Sequence, residues 1–124
     1  MKADVVVKSW PLTRDPAIAR VIAIGAVEAP LDVIVLPEGS SWNRGILLRE
    51  RDVALVDGPV GDGWLTGLLQ AMYASDRIAS VSATNAVLLR HWVLNVIGAL
   101  DATDALAEWQ TRAQRLGLVS RRLS

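Results

Sequence analysis

The hydrophobic pattern divides the chain into short apolar runs separated by longer amphipathic segments. Runs rich in β-branched residues and bounded by turn residues are typical of buried strands. Four such runs lie at residues 4–8, 31–36, 53–57 and 79–83. We therefore predict four strands, each ending in a loop.

The segments between and after these runs have apolar residues at helical spacing. They predict helices at residues 15–25, 64–72, 88–100 and 103–116. Asp15 and Asp62 stand where they could cap the first two helices, and Gly117 is placed to end the last one. The segment from Leu88 to Leu100 is apolar around most of its circumference, so as a helix it must be buried or covered by a partner.

Strands and helices that alternate in this way predict an α/β fold. We expect three layers, with a mostly parallel sheet of about four strands and helices on both faces, of the Rossmann-like type. The whole chain, residues 1–124, is expected to form one domain with a C-terminal helical part at about 87–118. Ligands of such sheets bind beyond the carboxyl ends of the strands. Those ends are at residues 9–10, 37–41, 57–63 and 82–85.

Composition and charge narrow the functional classes. The 124 residues include 13 basic and 13 acidic residues, so the formal net charge is zero. This balance argues against binding to nucleic acid or to an anionic membrane surface, which both favour a basic excess. No apolar run approaches the roughly 18 residues of a membrane span, and charged residues interrupt the N-terminal apolar stretch. The expected location is cytoplasmic.

The inventory of reactive side chains is small. Cysteine is absent and His91 is the single histidine, which excludes Cys/His zinc sites and thiol catalysis for this sequence. His91 is interpreted as a structural histidine in the apolar helix, since no serine or cysteine forms a recognisable triad with it. A metal ion would need oxygen ligands.

A glycine-rich loop follows the third predicted strand. Its glycines, Gly61, Gly63 and Gly67, come close to a dinucleotide-binding fingerprint at the start of a helix. The spacing differs from that fingerprint by one residue, and Asp62 places a negative charge where a pyrophosphate should lie. We therefore regard dinucleotide binding by this loop as the weaker interpretation.

Two acidic residues at strand ends are stronger candidates. Asp57 follows a buried strand, where its carboxylate could hold a divalent cation that in turn binds a diphosphate. The alternative is that Asp57 accepts hydrogen bonds from its own turn, Gly58 and Pro59. Glu38 begins a loop at another strand end and could accept hydrogen bonds from a ribose or a base, or simply be a solvated loop acid.

The order of several motifs resembles the family 2 glycosyltransferases over about residues 31 to 119. The matching pieces are Asn43-Arg44-Gly45-Ile46, Asp52-Val53-Ala54-Leu55-Val56-Asp57, Gly63-Trp64-Leu65, Ser75-Asp76-Arg77-Ile78, and Arg112 followed by Gly117. The resemblance implies a fold that binds nucleotide sugars. It also implies that Asp57 holds Mg²⁺ or Mn²⁺, that Glu38, Asn43 and Asp57 contact the nucleotide, and that Glu108 is the candidate catalytic base.

The sequence also departs from the family pattern at positions that matter for catalysis. The metal motif reads Asp57-Gly58-Pro59, so its second carboxylate is missing, and Ala105 and Leu106 occupy the positions of the usual acidic pair. Two hypotheses follow. The chain either binds a nucleotide sugar and transfers its glycosyl group, or it is a catalytically inactive relative that acts in binding or oligomeric assembly through residues 88–100.

Overall fold

The computed structural model describes residues 1–8, 12–25, 32–37, 51–93, 96, 111–112 and 114–123. The elements bounded within this part are β1 (Ala3–Val7), β2 (Ile18–Ile24), β3 (Ile34–Leu36), β4 (Asp52–Val56), α1 (Trp64–Met72), β5 (Ser80–Ala83), β6 (Ala86–Leu89) and β7 (Ser120–Arg122).

The seven strands form one mixed sheet in the order β3-β2-β1-β4-β6-β5-β7. Strands β3, β2, β1 and β4 are parallel neighbours, while β6 runs antiparallel to both β4 and β5, and β7 is parallel to β5. Strands β2 and β3 lie on one side of β1, and β4 and the later strands lie on its other side. The carboxyl ends of β1 and β4 therefore mark the point where the strand order reverses.

The central strands are buried on both faces of the sheet. Along β1, Val5 and Val7 belong to one core cluster together with Leu65 and Leu68 of α1, whereas Val6 belongs to a second cluster on the opposite face. Val93 is buried in that second cluster. Burial on both faces explains why these strands are nearly continuous apolar runs.

The predicted fold class, a three-layer, mostly parallel sheet of about four strands with helices on both faces, is wrong. The structure is a seven-stranded mixed sheet. Residues predicted as a helix over 15–25 form the strand Ile18–Ile24, and the predicted helix at 88–100 overlaps the strand Ala86–Leu89. The reason is that a strand buried on both faces has apolar residues at nearly every position, a pattern that also satisfies helical spacing.

Other predictions of local structure are confirmed. The four predicted strands correspond to β1, β3, β4 and β5, and the helix predicted from Trp64 is α1. Gly117, with a φ of 67°, follows helical residues 114–116 as predicted. Strands β2, β6 and β7 are the additions that change the fold class.

Helix α1 is capped by a different residue from the one predicted. Its N-cap position is Gly63, without a side-chain cap hydrogen bond, and Asp62 is exposed. The buried carboxylate of Asp15 instead accepts hydrogen bonds from the Thr66 N–H (3.1 Å), the Thr66 hydroxyl (2.8 Å) and the Ala17 N–H (2.8 Å). Burial alone would raise the pKa of Asp15, but these hydrogen bonds outweigh it and the pKa is lowered.

Two further hydrogen bonds fix the segment before β2, one to the first residue of α1 and one to the loop before it. The Trp64 indole N–H donates to the carbonyl oxygen of Thr13 (2.9 Å), and the Thr13 hydroxyl donates to the carbonyl oxygen of Val60 (2.7 Å). The described residues 12–17 thus run along the face of the sheet that carries α1. No helix in the described residues is long and apolar enough to cross a membrane.

Candidate functional site

The candidate site lies where the strand order reverses, at the carboxyl ends of β1 and β4. The Lys8 N–H donates to the Val56 carbonyl oxygen (3.2 Å), which extends the pairing of the two strands by one residue. The register of β1 against β4 ends at Val7 opposite Val56, so Lys8 and Asp57 are the first residues after the two strand ends. Val7 and Val56 belong to the α1 side of the core, and the two charged residues directly follow them.

Lys8 and Asp57 form an ion pair at this edge. The distance from Lys8 Nζ to Asp57 Oδ2 is 3.9 Å, and half of the Asp57 side chain is exposed. Among the described residues, Lys8 is the ion-pair partner of this carboxylate. The alternative interpretation, in which Asp57 accepts hydrogen bonds from its own turn, stays a prediction.

Asn85, in the β5–β6 turn, fixes the backbone beside Asp57. Its carbonyl oxygen accepts the Asp57 N–H (2.9 Å), and its side-chain amide donates to the Pro59 carbonyl oxygen (2.9 Å). Gly58 has a φ of 129°, and a Cβ there would lie 2.6 Å from Asn85 Cγ. Glycine is thus required at position 58, and the position of the Asp57 backbone is well defined.

A cleft of about 420 Å³ opens beside this edge, on the face that carries α1. Its lining includes Val60, Trp64, Leu68, Ala83, Thr84 and Leu123. Gly61, Gly63 and Gly67 add backbone to the wall, and a Cβ at any of them would meet nothing within 4 Å. The lining is mainly apolar, so the cleft suits an uncharged ring or chain rather than a phosphate.

The glycine-rich loop itself does not fit a dinucleotide. A phosphate bound there would need the free N–H groups at the start of α1. The Asp15 carboxylate already accepts the Thr66 N–H and hydroxyl, and it brings a negative charge to that helix end. The dinucleotide interpretation of Gly61–Gly67 is therefore not supported by the geometry.

The described residues also do not fit a divalent cation at Asp57. Mg²⁺ binds through several oxygen ligands in a regular octahedron. In the part of the chain that the structure describes, no group of three or more histidine, cysteine, aspartate or glutamate side chains is placed to hold a metal ion. Asp57 supplies one carboxylate, and the Lys8 ammonium lies against it.

The remaining predicted site residues, Glu38, Asn43 and Glu108, lie outside the described residues. The strand-end segments predicted at 57–63 and 82–85 are brought together by Asp57 and Asn85. Lys8 is a residue that the sequence reasoning missed. The rule that selected Asp57, a polar residue directly after a buried strand, applies equally to Lys8 once the parallel pairing of β1 and β4 is known.

A polar network lies at the opposite end of β4, around its first residue, Asp52. Asp52 accepts hydrogen bonds from the Tyr73 hydroxyl and from the His91 N–H (3.0 Å), and His91 Nδ1 lies 3.5 Å from the same carboxylate. Burial and the contact with Asp52 raise the pKa of Tyr73. His91 lies in an exposed turn after β6 rather than within an apolar helix, and its interpretation as a structural histidine stays a prediction.

Buried Arg90 anchors the other end of α1 in this network. Its guanidinium donates to the carbonyl oxygens of Met72, Ser75 and Ile78, each at 2.9 Å, and stacks over the Tyr73 ring at 4.3 Å. Both ends of α1 are therefore tied to distant parts of the chain, by Asp15 at its start and by Arg90 at its end.

Comparison with known proteins adds no family to this description. No protein-family model matches the chain, and no curated protein matches it. The observations that bear on function are consequently the topology of the sheet and the residues at the carboxyl ends of β1 and β4.

Proposed function

We propose that the chain is a glycosyltransferase-like domain that binds a nucleoside diphosphate sugar at the carboxyl ends of β1 and β4. The observation that carries this proposal is the reversal of strand order between these parallel strands, with the pair Lys8 and Asp57 directly at that point. Crevices at such reversals are the preferred ligand sites of open α/β sheets.

The chemistry of the pair suits this ligand. A diphosphate needs nearby positive charge, and an exposed carboxylate can accept hydrogen bonds from sugar or ribose hydroxyls. The resemblance to family 2 glycosyltransferases adds Glu38 and Asn43 as nucleotide contacts. A divalent cation at Asp57 is not part of the proposal, because the described residues there do not fit one.

Binding is the core of the proposal, and glycosyl transfer is an extension of it. Transfer to a hydroxyl requires a base to remove the proton, for which Glu108 is the candidate. A nucleotide-sugar-binding domain without this step is the inactive form of the same proposal. The cytoplasmic location expected from the sequence stays a prediction.

Calorimetric titration with uridine diphosphate and guanosine diphosphate, each with and without Mn²⁺, tests the proposal. We expect at least one diphosphate to bind at or below millimolar concentration, and the corresponding nucleosides to bind more weakly. Asp62→Ala should bind the diphosphates as the natural sequence does, because Asp62 is an exposed acid beside the cleft and makes no cap hydrogen bond. Absence of binding by both diphosphates under both conditions would refute the proposal.

A second candidate function is assembly through the segment after β6. Trp92 and Val96 are 38% and 49% exposed, so both present apolar surface. Leu88 and Leu89 are fully buried in β6, so they cannot belong to the interface predicted over residues 88–100. We propose a second copy of the chain as the partner.

Light scattering after size-exclusion chromatography tests this second candidate. A dimer that dissociates in Trp92→Ser and Val96→Ser supports it. A monomer at high concentration would refute it. Val119→Ser is a suitable control, because Val119 is 53% exposed but lies next to β7.

A further inference from the structure

We infer that the cleft on the α1 face of the sheet binds a small, uncharged aromatic molecule. Its volume of about 420 Å³ lies within the range of cavities that hold small ligands, about 300–1,000 Å³. Neither Lys8 nor Asp57 lines it, so this site is distinct from the one proposed for the diphosphate. The inference therefore does not rest on the proposed function.

The chemistry of the described lining selects an uncharged ligand. None of these lining residues is charged, and Thr84 supplies a hydroxyl among otherwise apolar side chains. An ionised ligand would lose hydration in such a cleft without gaining a counter-charge. The Trp64 indole provides an aromatic partner, and paired rings gain attraction beyond the apolar area that they bury. These properties favour an uncharged ring over an ion or a plain aliphatic chain.

Hydrogen bonds hold the walls of the cleft in place. The Trp64 indole N–H donates to the Thr13 carbonyl oxygen (2.9 Å), and the Thr13 hydroxyl donates to the Val60 carbonyl oxygen (2.7 Å). The Leu123 N–H donates to the Ser82 carbonyl oxygen (2.8 Å), which ties the residue after β7 to β5. Three lining residues from distant parts of the chain are thus fixed around one space. Binding consequently requires little further ordering of the protein.

Gly67 is a separate indication that this space is kept open. It lies inside α1 without a positive φ, and glycine in a helix is destabilising relative to alanine. A Cβ at this position would meet no atom within 4 Å, so neither the backbone conformation nor close packing requires glycine. Because Gly67 lines the cleft, a larger side chain would occupy part of it. Glycine here lowers helix stability and leaves room for a ligand.

Two fluorescent probes with the same ring system test the site. N-phenyl-1-naphthylamine is uncharged, whereas 8-anilinonaphthalene-1-sulfonate carries a sulfonate on the same skeleton. Each is titrated against the natural sequence, Gly67→Ala, Gly67→Leu and Gln70→Leu, and thermal midpoints check that all four proteins are folded. Gln70→Leu is the matched control, because Gln70 is an exposed residue of the same helix that does not line the cleft.

We expect the natural sequence and Gln70→Leu to bind the uncharged probe equally. Gly67→Leu should bind it about tenfold more weakly or worse, because leucine takes the place of the ring. Gly67→Ala should weaken binding by a smaller factor while it raises the thermal midpoint, since alanine is the better helix former. The loss of binding then cannot be ascribed to unfolding. The sulfonated probe should bind the natural sequence more weakly than the uncharged probe.

Competition against the uncharged probe separates a ring from a chain. We expect 2-naphthol to displace the probe at a lower concentration than 1-octanol does, and the reverse order overturns the aromatic assignment. The inference as a whole is overturned if the natural sequence does not bind the uncharged probe, if the sulfonated probe binds more tightly, or if both Gly67 variants bind as the natural sequence does. All of these outcomes leave the diphosphate titration, and with it the proposed function, unaffected.

Discussion

Replacement of Asp15 by alanine tests a tertiary contact between two distant parts of the chain. The Asp15 side chain is buried and lies 51 residues before the helical residue that it caps. It links the segment before β2 to the start of α1, and α1 covers one of the two buried faces of the sheet. Asp15→Ala removes this link while leaving the sheet itself unchanged.

The expected loss can be estimated from the hydrogen bonds. Asp15 accepts three, from the Ala17 N–H, the Thr66 N–H and the Thr66 hydroxyl. A hydrogen bond to a charged group contributes about 1.5–3 kcal/mol, but the two from Thr66 are not independent. We expect Asp15→Ala to lower the free energy of unfolding by about 3 kcal/mol, or the thermal midpoint by about 10 °C.

Urea denaturation at neutral pH measures this effect, with Asp62→Ala as the matched control. Asp62 is the acid that directly precedes the helix in sequence, but it is exposed and Gly63 has no side-chain cap hydrogen bond. We expect the control to change stability by less than about 0.5 kcal/mol. A loss below about 1 kcal/mol for Asp15→Ala, or a larger loss for Asp62→Ala, would refute the reasoning.

The same contact predicts a pH dependence. Burial opposes the ionised form of Asp15, but the hydrogen bonds prevail and hold its pKa in the folded protein below the ordinary value of 3.8. The stabilising contribution is therefore complete above the unfolded-state pKa and is lost as pH falls towards the lower folded-state value. The stability difference between the natural sequence and Asp15→Ala should shrink below about pH 4. A difference that stays constant down to pH 2 would contradict this account.

Three further substitutions have clear expected outcomes. Gly67→Ala should raise the free energy of unfolding by about 0.5–1 kcal/mol, because Gly67 lies inside α1 and a Cβ there meets no atom within 4 Å; a lower urea midpoint would contradict this. Gly58→Ala should cost about 2 kcal/mol or more, because of the φ of 129° and the 2.6 Å approach to Asn85 Cγ. Asn85→Gly in the same chain should recover part of that loss. Arg90→Met should lower the unfolding free energy by about 3 kcal/mol, because Arg90 is buried and satisfies three carbonyl oxygens, including that of Met72 at the end of α1; unchanged urea denaturation would exclude this role.

One residue of the candidate site could be predicted from the sequence. Asp57 is a polar residue directly after a buried strand, and in the structure it lies where the strand order reverses. Lys8 could not be predicted as the partner of Asp57, because its proximity depends on the pairing of two strands separated by more than 40 residues. Asn85 was likewise only a member of a strand-end loop until its contacts with Asp57 and Pro59 were known.

The fold class was missed for a related reason. The sequence could not separate a strand buried on both faces from a buried helix at Ile18–Ile24, because burial on both faces removes the alternation that distinguishes a strand. The three exposed residues of β7 carry too little pattern to predict a strand, and their conformation depends on pairing with β5.

By itself, the sequence determined where β1, β4, β5 and α1 form, because short β-branched runs and an amphipathic segment each have a strong local preference. It also determined that polar residues follow the central strands. Only the tertiary structure decided that α1 is capped by Asp15 rather than Asp62, and that Lys8 faces Asp57. The physical reason is that local preference acts over a few residues, whereas capping by a distant carboxylate and strand register depend on which segments pack together after the chain has folded.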